Sequence, residues 1–392
     1  MQSGYDVIVV GAGSMGMSAG YYLARRGLKT LMIDAFDPPH EQGSHHGDTR
    51  LIRHAYSGDA LYSAWALRAD VLWQELEALT GEQLLLRCGV LHLSVAEEAA
   101  LVEKAQRAQQ HHIPYEVIQA EAISRRWPGI CASDTMSGLY EPTAGVLFSE
   151  ACIRAYRQLA LEAGALLLPY TKVEHIQAGK ARAQGVTVTT SNGRFHADQI
   201  VIATGAWYQM LEPFVKLPIQ PVRKVIGWFE VDNYLYGSDY FPGFTMRTAS
   251  GEYYSVPDIN GAGLKMGRHD GGTPWQANAP LAPFGEHSQD ERDIRQLLET
   301  YMPRAAGRLL KGTVCKYERT PDEHFIIDRH PAYEQVWLAG GFSGHGFKFA
   351  SVVGETLADL VEQGHTDWKL DQFQLARFQE HEQNDYVDNV QL

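Results

Sequence analysis

An α/β unit joined to an α+β region is the architecture this sequence predicts, and three observations carry it. The apolar, β-branched run Val7-Ile8-Val9-Val10 passes directly into Gly11-Ala12-Gly13-Ser14-Met15-Gly16. A second apolar run, Ile200-Val201-Ile202, ends in the small-residue turn Ala203-Thr204-Gly205-Ala206. Alternating segments such as Gly251–Pro257 and Gly263–Gly267 read as neighbouring strands of a further sheet.

The first run suits a central parallel strand buried on both faces. Residues Ser18 to Arg26 read as a helix ended by Gly27, and Lys29 to Ile33 as a second strand with Asp34 at its end. In this β-α-β order Gly11 permits the tight turn, Gly13 lets backbone approach a pyrophosphate, and Gly16 allows close helix packing. Ser14 and Met15 open the helix, whose free N–H groups attract phosphate. Asp34 can accept hydrogen bonds from an adenosine ribose and disfavours a 2′-phosphate, which argues against NADP but does not separate FAD from NAD.

Further along, helices are expected at Leu61–Leu79, Ala96–Gln110 and Ser149–Glu162, and strands at Val90–Val95, Ala165–Pro169, 172–176 and Ala183–Thr190. The run at 200–206 offers a second close approach to a dinucleotide, so the chain returns to its first unit. Strand character resumes from Lys224 to Glu230, and a helix begins near Phe349.

Composition narrows the function. The 392 residues suffice for two or three domains, and 45% hydrophobic with 21% charged residues is an ordinary globular balance. With 34 Lys and Arg against 47 Asp and Glu, the net charge of −13 argues against nucleic acid as a partner. Cys88, Cys131, Cys152 and Cys315 are widely spaced and form no zinc-like pair, so no metal is expected. The N-terminus lacks a basic stretch followed by an apolar one, and no run approaches the roughly 20 apolar residues of a membrane helix. A cytoplasmic protein without a membrane partner is the expectation.

Two regions carry the remaining chemistry. The loop 37–53 brings His46, Thr49, Arg50 and Arg53 together as donors that could lie over a ring and its phosphates. Near the C-terminus, Gly340-Gly341-Phe342-Ser343-Gly344-His345-Gly346-Phe347-Lys348 allows close backbone passage, with Lys348 projecting from it.

The stretch GSHHGDTRLIRHAY at 43–56, the cysteine-bearing 312–328 and GFSGHGFKF at 341–349 closely resemble the monomeric sarcosine oxidase and N-methyltryptophan oxidase family. That resemblance implies an FAD-binding, Rossmann-like domain of glutathione-reductase-like type with a sheet-based substrate domain. It divides the chain into 1–85, 146–218 and 321–382 for FAD, 86–145 and 219–320 for substrate, and a tail at 383–392. It implies FAD attached through Cys315, with His46, Thr49, Arg50, Val173, Gly205, Gly344, Gly346 and Lys348 also near the cofactor. Arg53 and Lys348 become a carboxylate clamp, and Tyr254, Tyr317 and His269 pocket residues that orient the substrate. Lys265 becomes the group that activates dioxygen, and Arg50 favours negative charge on reduced flavin.

The implied reaction is oxidative N-demethylation of a small N-methyl amino acid, sarcosine first, with water and dioxygen, in a monomer. Pro221-Val222-Arg223-Lys224 and Gly267–Gly272 lean instead toward N-methyltryptophan oxidase, and the loops at Tyr56 and Phe241–Phe244 bear on pocket size. Another secondary or cyclic amino acid, an NAD-dependent dehydrogenase and a non-enzymatic FAD-binding redox sensor are the alternatives.

Overall fold

The computed structural model of the protein describes residues 4–95 and 99–378. Strand β1 (Tyr5–Val10), helix α1 (Ser14–Arg25) and strand β2 (Thr30–Ile33) form the opening unit. β1 pairs in parallel with β2 and with the end of the strand Gly193–Ile202, which buries Ile8 and Val9 on both faces. The strands Leu166–Leu168 and Tyr333–Gly340 extend the parallel array on its two sides. Val173–Ala178, Val186–Thr190 and Ile326–His330 complete an eight-stranded mixed sheet.

α1 begins at Ser14, earlier than the sequence pattern suggested, because Gly13 is its N-cap and the glycine motif itself enters the helix. The helix packs against Ser149–Glu162 and Ala350–Gln363. That contact is close: a Cβ on Gly354 would lie 2.1 Å from the Oγ of Ser18.

A second sheet of nine strands contains Val90–Val95, Gln220–Phe229, Gly251–Val256, Leu264–Arg268 and Leu309–Arg319. The strand Gln220–Phe229 starts earlier than expected because Leu309–Arg319 pairs along its whole length. A small third sheet joins Thr49–Ile52 to Leu85–Leu86 and Gly145–Phe148, and so gives the 37–53 loop a rigid end.

The helix expected from Ala96 runs over Ala99–Gln110, its first expected turn lying outside the described residues, as does the tail 383–392. Among the described residues no helix is long and apolar enough to cross a membrane. All four cysteines are free thiols.

Candidate active site

A cavity of about 310 Å³ opens at the start of α1, lined by Gly13, Ser14, Met15, Asp34, Val173 and Gly205. Gly11 and Gly16 stand behind its wall. Gly11 has a φ of +87° and a Cβ there would sit 2.5 Å from the Ala203 carbonyl oxygen, while one on Gly16 would sit 1.8 Å from that of Gly11. These two glycines bring strand and helix together, and Gly13 alone faces the space. The Asp34 carboxylate accepts from the backbone N–H of Ala12 at 2.7 Å and of Phe36 at 2.9 Å. Each oxygen retains a lone pair for a further donor.

A second cavity of about 340 Å³ shares Arg50, Tyr317, Gly344 and Phe347 with the first, so the two form one trough. Arg50 stands at the junction. Its guanidinium donates to the carbonyls of Ser44 at 2.6 Å, Thr49 at 2.7 Å and His46 at 2.8 Å, and approaches the Cys315 Sγ at 3.9 Å. Cys315 and Tyr317 share one face of the strand Leu309–Arg319, as the two-residue period requires, and both line the second cavity. Lys316 and Glu318, on the opposite face, line the first.

The structure does not bring every expected residue to the trough wall. His46 lies off both cavities, its Nε2 buried without a partner, and burial followed by the Arg50 charge holds its pKa at about 3. The adjacent His45 lines the trough instead. Lys265 is fully buried behind Thr49, with its Nζ donating to the carbonyls of Gly47 at 2.6 Å and Thr49 at 2.7 Å and to the Thr49 hydroxyl at 3.2 Å. Thr49 itself reaches the cavity.

At the far end Arg53 and Lys348 meet over one aromatic ring. The Arg53 Cζ lies 4.2 Å and the Lys348 Nζ 5.8 Å from the Tyr56 ring centroid. Among the described residues neither forms an ion pair with a carboxylate, and the Arg53 Nη1 is buried without a partner. Lys348 donates to the His345 carbonyl at 2.8 Å. Burial, then the charges of Arg53, Arg50 and Lys104, pull its pKa well below that of an ordinary lysine.

His269 faces Tyr317 with ring centroids 5.8 Å apart; burial and then Lys224 hold its pKa at about 3, so it is neutral. Burial pushes the Tyr254 phenol up to about 12. Gly344 has a φ of +81° and a Cβ there would lie 2.1 Å from the Tyr317 ring, so this wall requires glycine. Phe241 and Phe244 belong to the core of the second sheet and leave the cavity to Tyr56.

Four further positions, none of them a site residue expected from the sequence, bear on the trough. Glu318 lines the first cavity with a buried, unpartnered Oε2, and burial pushes its carboxyl up to about 8, which leaves it a proton to donate at neutral pH. Thr204 Oγ1, on the same wall, is also unpartnered. Lys224 reaches the backbone carbonyls of His269, Asp270 and Gly271 and fixes that turn. Glu141 is fully buried and accepts from the backbone of His54 at 2.8 Å and of Ala55 at 3.2 Å, and from the His92 ring at 2.8 Å, anchoring the chain just beyond Arg53. Burial opposes ionisation of Glu141, but its two histidine partners hold it well below the carboxylate range. Glu141 left no local signal, because its hydrogen bonds reach residues 86 and 87 positions away.

The trough fits an FAD: a carboxylate and a helix N-terminus at one end, orphaned polar atoms along it, and a guanidinium and thiol in the middle. Comparisons agree. A model of the FAD dependent oxidoreductase family matches residues 6–360. Monomeric sarcosine oxidase of Bacillus sp. (strain NS-129) is 46% identical over 381 residues, covering 96% of this chain and 98% of that one. N-methyl-L-tryptophan oxidase of Salmonella arizonae is 42% identical over 378 residues, 95% of this chain and 99% of the other. L-proline dehydrogenase from P. horikoshii shares the fold with a TM-score of 0.81 at 22% identity, over 97% of this chain and 99% of that one.

Asp34 left FAD and NAD open, and the match over residues 6–360 decides for FAD. With cofactor, fold and near-complete coverage in agreement, the chain belongs to the FAD-dependent oxidoreductases and, among them, to the monomeric sarcosine oxidase and N-methyl-L-tryptophan oxidase family.

Proposed function

We propose that this protein, as a monomer, oxidises a small N-methyl amino acid, sarcosine first, releasing glycine, formaldehyde and hydrogen peroxide. The observation that carries the reading is the pair Arg53 and Lys348, two cations without carboxylate partners among the described residues, in the cavity that also holds Cys315. The names of the relatives, oxidases of sarcosine and of N-methyl-L-tryptophan, support it. In this reading residues 1–85, 146–218 and 321–382 hold FAD, and 86–145 with 219–320 shape the substrate side.

Bound FAD supplies the two-electron oxidation and passes the electrons to dioxygen. The chain supplies position and charge. Arg53 offers a planar fork and Lys348 a compact cation to the substrate carboxylate. That anion favours the ammonium form of Lys348, which burial otherwise opposes. The neutral His269 ring and the Tyr317 phenol orient the amine without adding positive charge beside it, so the amine can react in its unprotonated form. Thr49 and the Lys265 behind it stabilise charge as dioxygen is reduced, and Arg50 favours negative charge on the reduced ring. Water completes the reaction by hydrolysing the substrate imine.

Aerobic turnover of sarcosine and N-methyl-L-tryptophan, followed through peroxide, tests the function. Sarcosine should turn over. If no small secondary amino acid bleaches the flavin, the protein is not an amine oxidase.

The attachment of FAD through Cys315 is part of the same proposal. The thiol is buried in the trough wall, against the Ser44 carbonyl at 3.8 Å. Acid-denatured wild-type protein should stay yellow after gel filtration, whereas Cys315→Ala should release essentially all its flavin. Loss of colour from the denatured wild type would reject the thioether.

A further inference from the structure

Three cations of the substrate cavity stand outside the carboxylate clamp: Arg50, which donates to backbone carbonyls, Arg247, which pairs with Glu252, and Lys104. Lys104, on the helix Ala99–Gln110, lines the same cavity with its Nζ 5.7 Å from the Tyr56 ring centroid. Arg53, Lys104 and Lys348 thus surround one aromatic ring. The helix is tied to the Tyr56 loop on both sides of Lys104: Glu103 accepts from the Gly58 N–H at 2.8 Å, and Arg107 donates to the Gly58 carbonyl at 2.7 Å. The lysine is therefore held toward the cavity by its neighbours in sequence.

The acids of this cavity are already engaged. Glu252 pairs with Arg247, Asp322 with Arg377 at 2.7 Å, and Glu323 lies 3.9 Å from Arg319. Among the described residues no carboxylate pairs with Lys104. Burial and then the Arg53 charge pull its pKa to about 7, against the opposing pull of the Glu141 and Glu252 charges. One substrate carboxylate satisfies Arg53 and Lys348 and leaves Lys104 unanswered.

We propose that Lys104 forms a second anion subsite, so that the cavity accepts secondary amino acids carrying a side-chain carboxylate, of the N-methylaspartate class. The inference rests on the amine-oxidase reading for its first carboxylate, and the chemistry at the amine is unchanged. A neutral side chain would leave Lys104 facing Leu101 and Met246, which line the same cavity. An aromatic one would offer its ring face to the ammonium, and the test must separate these cases.

The experiment uses unreactive thioethers in place of the amine, with binding to the holoenzyme read from the flavin spectrum. The probes are methylthioacetate, (methylthio)succinate and 2-(methylthio)-3-phenylpropanoate. Wild type should bind (methylthio)succinate more tightly than the other two. In Lys104→Met the ratio of the (methylthio)succinate to methylthioacetate dissociation constants should rise by about 10–100-fold, the range of a charge-assisted contact. Lys104→Arg should keep most of the preference, which separates lost charge from a damaged helix. Tightest binding of the phenyl compound, or an unaltered ratio in Lys104→Met, would overturn the subsite. If (methylthio)succinate binds as expected while no secondary amine bleaches the flavin, the oxidase reading fails and the subsite stands.

Discussion

Lys265→Met is expected to slow reoxidation of the reduced enzyme by dioxygen about 10²–10³-fold while changing flavin reduction by substrate only a few-fold, the range seen when one preorganised charge-stabilising donor is removed. The geometry explains the asymmetry. The Lys265 Nζ directs its donors at the Gly47 and Thr49 carbonyls and the Thr49 hydroxyl, which is the coordination of an ammonium with all three protons placed. It also lies 5.4 Å from the centroid of the Trp228 ring, whose face favours a cation. Burial and then the Arg50 charge work against that form and pull the pKa well below the usual value. The three surrounding acceptors favour the ammonium, and in the proposed role its charge in a dry site would act strongly on charge developing across Thr49.

In the proposed arrangement substrate reacts on the side of Arg53 and Lys348, and Lys265 lines neither cavity. Methionine fills similar space but removes three hydrogen bonds; the Thr49 carbonyl keeps Arg50 and the Gly47 carbonyl keeps the Thr49 N–H, so only a modest loss of thermal stability accompanies the kinetic effect. Stopped-flow measurement of the two half-reactions separates the possibilities. Equal slowing of both would make Lys265 a packing residue, and unchanged reoxidation would remove it from oxygen chemistry.

The difference between Lys265 and Lys104 marks what the sequence could convey. Burial leaves a local imprint in periodicity, so the strand Val90–Val95 and the helix Ser149–Glu162 have the bounds the pattern gives. Boundaries slipped where a distant partner extends an element, as at Gln220–Phe229, or where a glycine motif doubles as a cap, as at Gly13. The site residues came through likeness of short stretches to a family, and the trough gathers most of them. Lys104 had no such stretch. On the polar face of an amphipathic helix it looks like any solvated lysine, and only the bonds of Glu103 and Arg107 to Gly58 turn it inward. Glu318 and Glu141 are acids whose meaning lies entirely in burial, which composition cannot report.

Arg53→Met is expected to lower kcat/KM for sarcosine by about 10²–10³-fold, most of it in KM, because a two-pronged charge-assisted contact of roughly 1.5–3 kcal/mol per bond is lost. Partial loss of desolvation cost keeps the effect below the full sum. The scaffold should survive the change. Arg53 contacts Tyr56 by its guanidinium face, whereas the chain beyond it is held by Glu141 through the backbone of His54 and Ala55. Arg53→Lys should rescue little, since a point charge does not replace the planar fork.

A pH signature distinguishes the clamp from simple packing. In the proposed clamp, carboxylate binding needs the ammonium of Lys348, so affinity is expected to fall as pH rises through its pKa. Burial comes first among the causes that depress that pKa, and Arg53 is the next. Removing Arg53 therefore raises it, and the falling limb of methylthioacetate affinity should move to higher pH in Arg53→Met even as affinity drops overall. Titrating both proteins from pH 6 to 10 checks this. If affinity drops without that displacement, Arg53 and Lys348 do not share one anion; if affinity is unchanged, Arg53 does not touch the substrate at all.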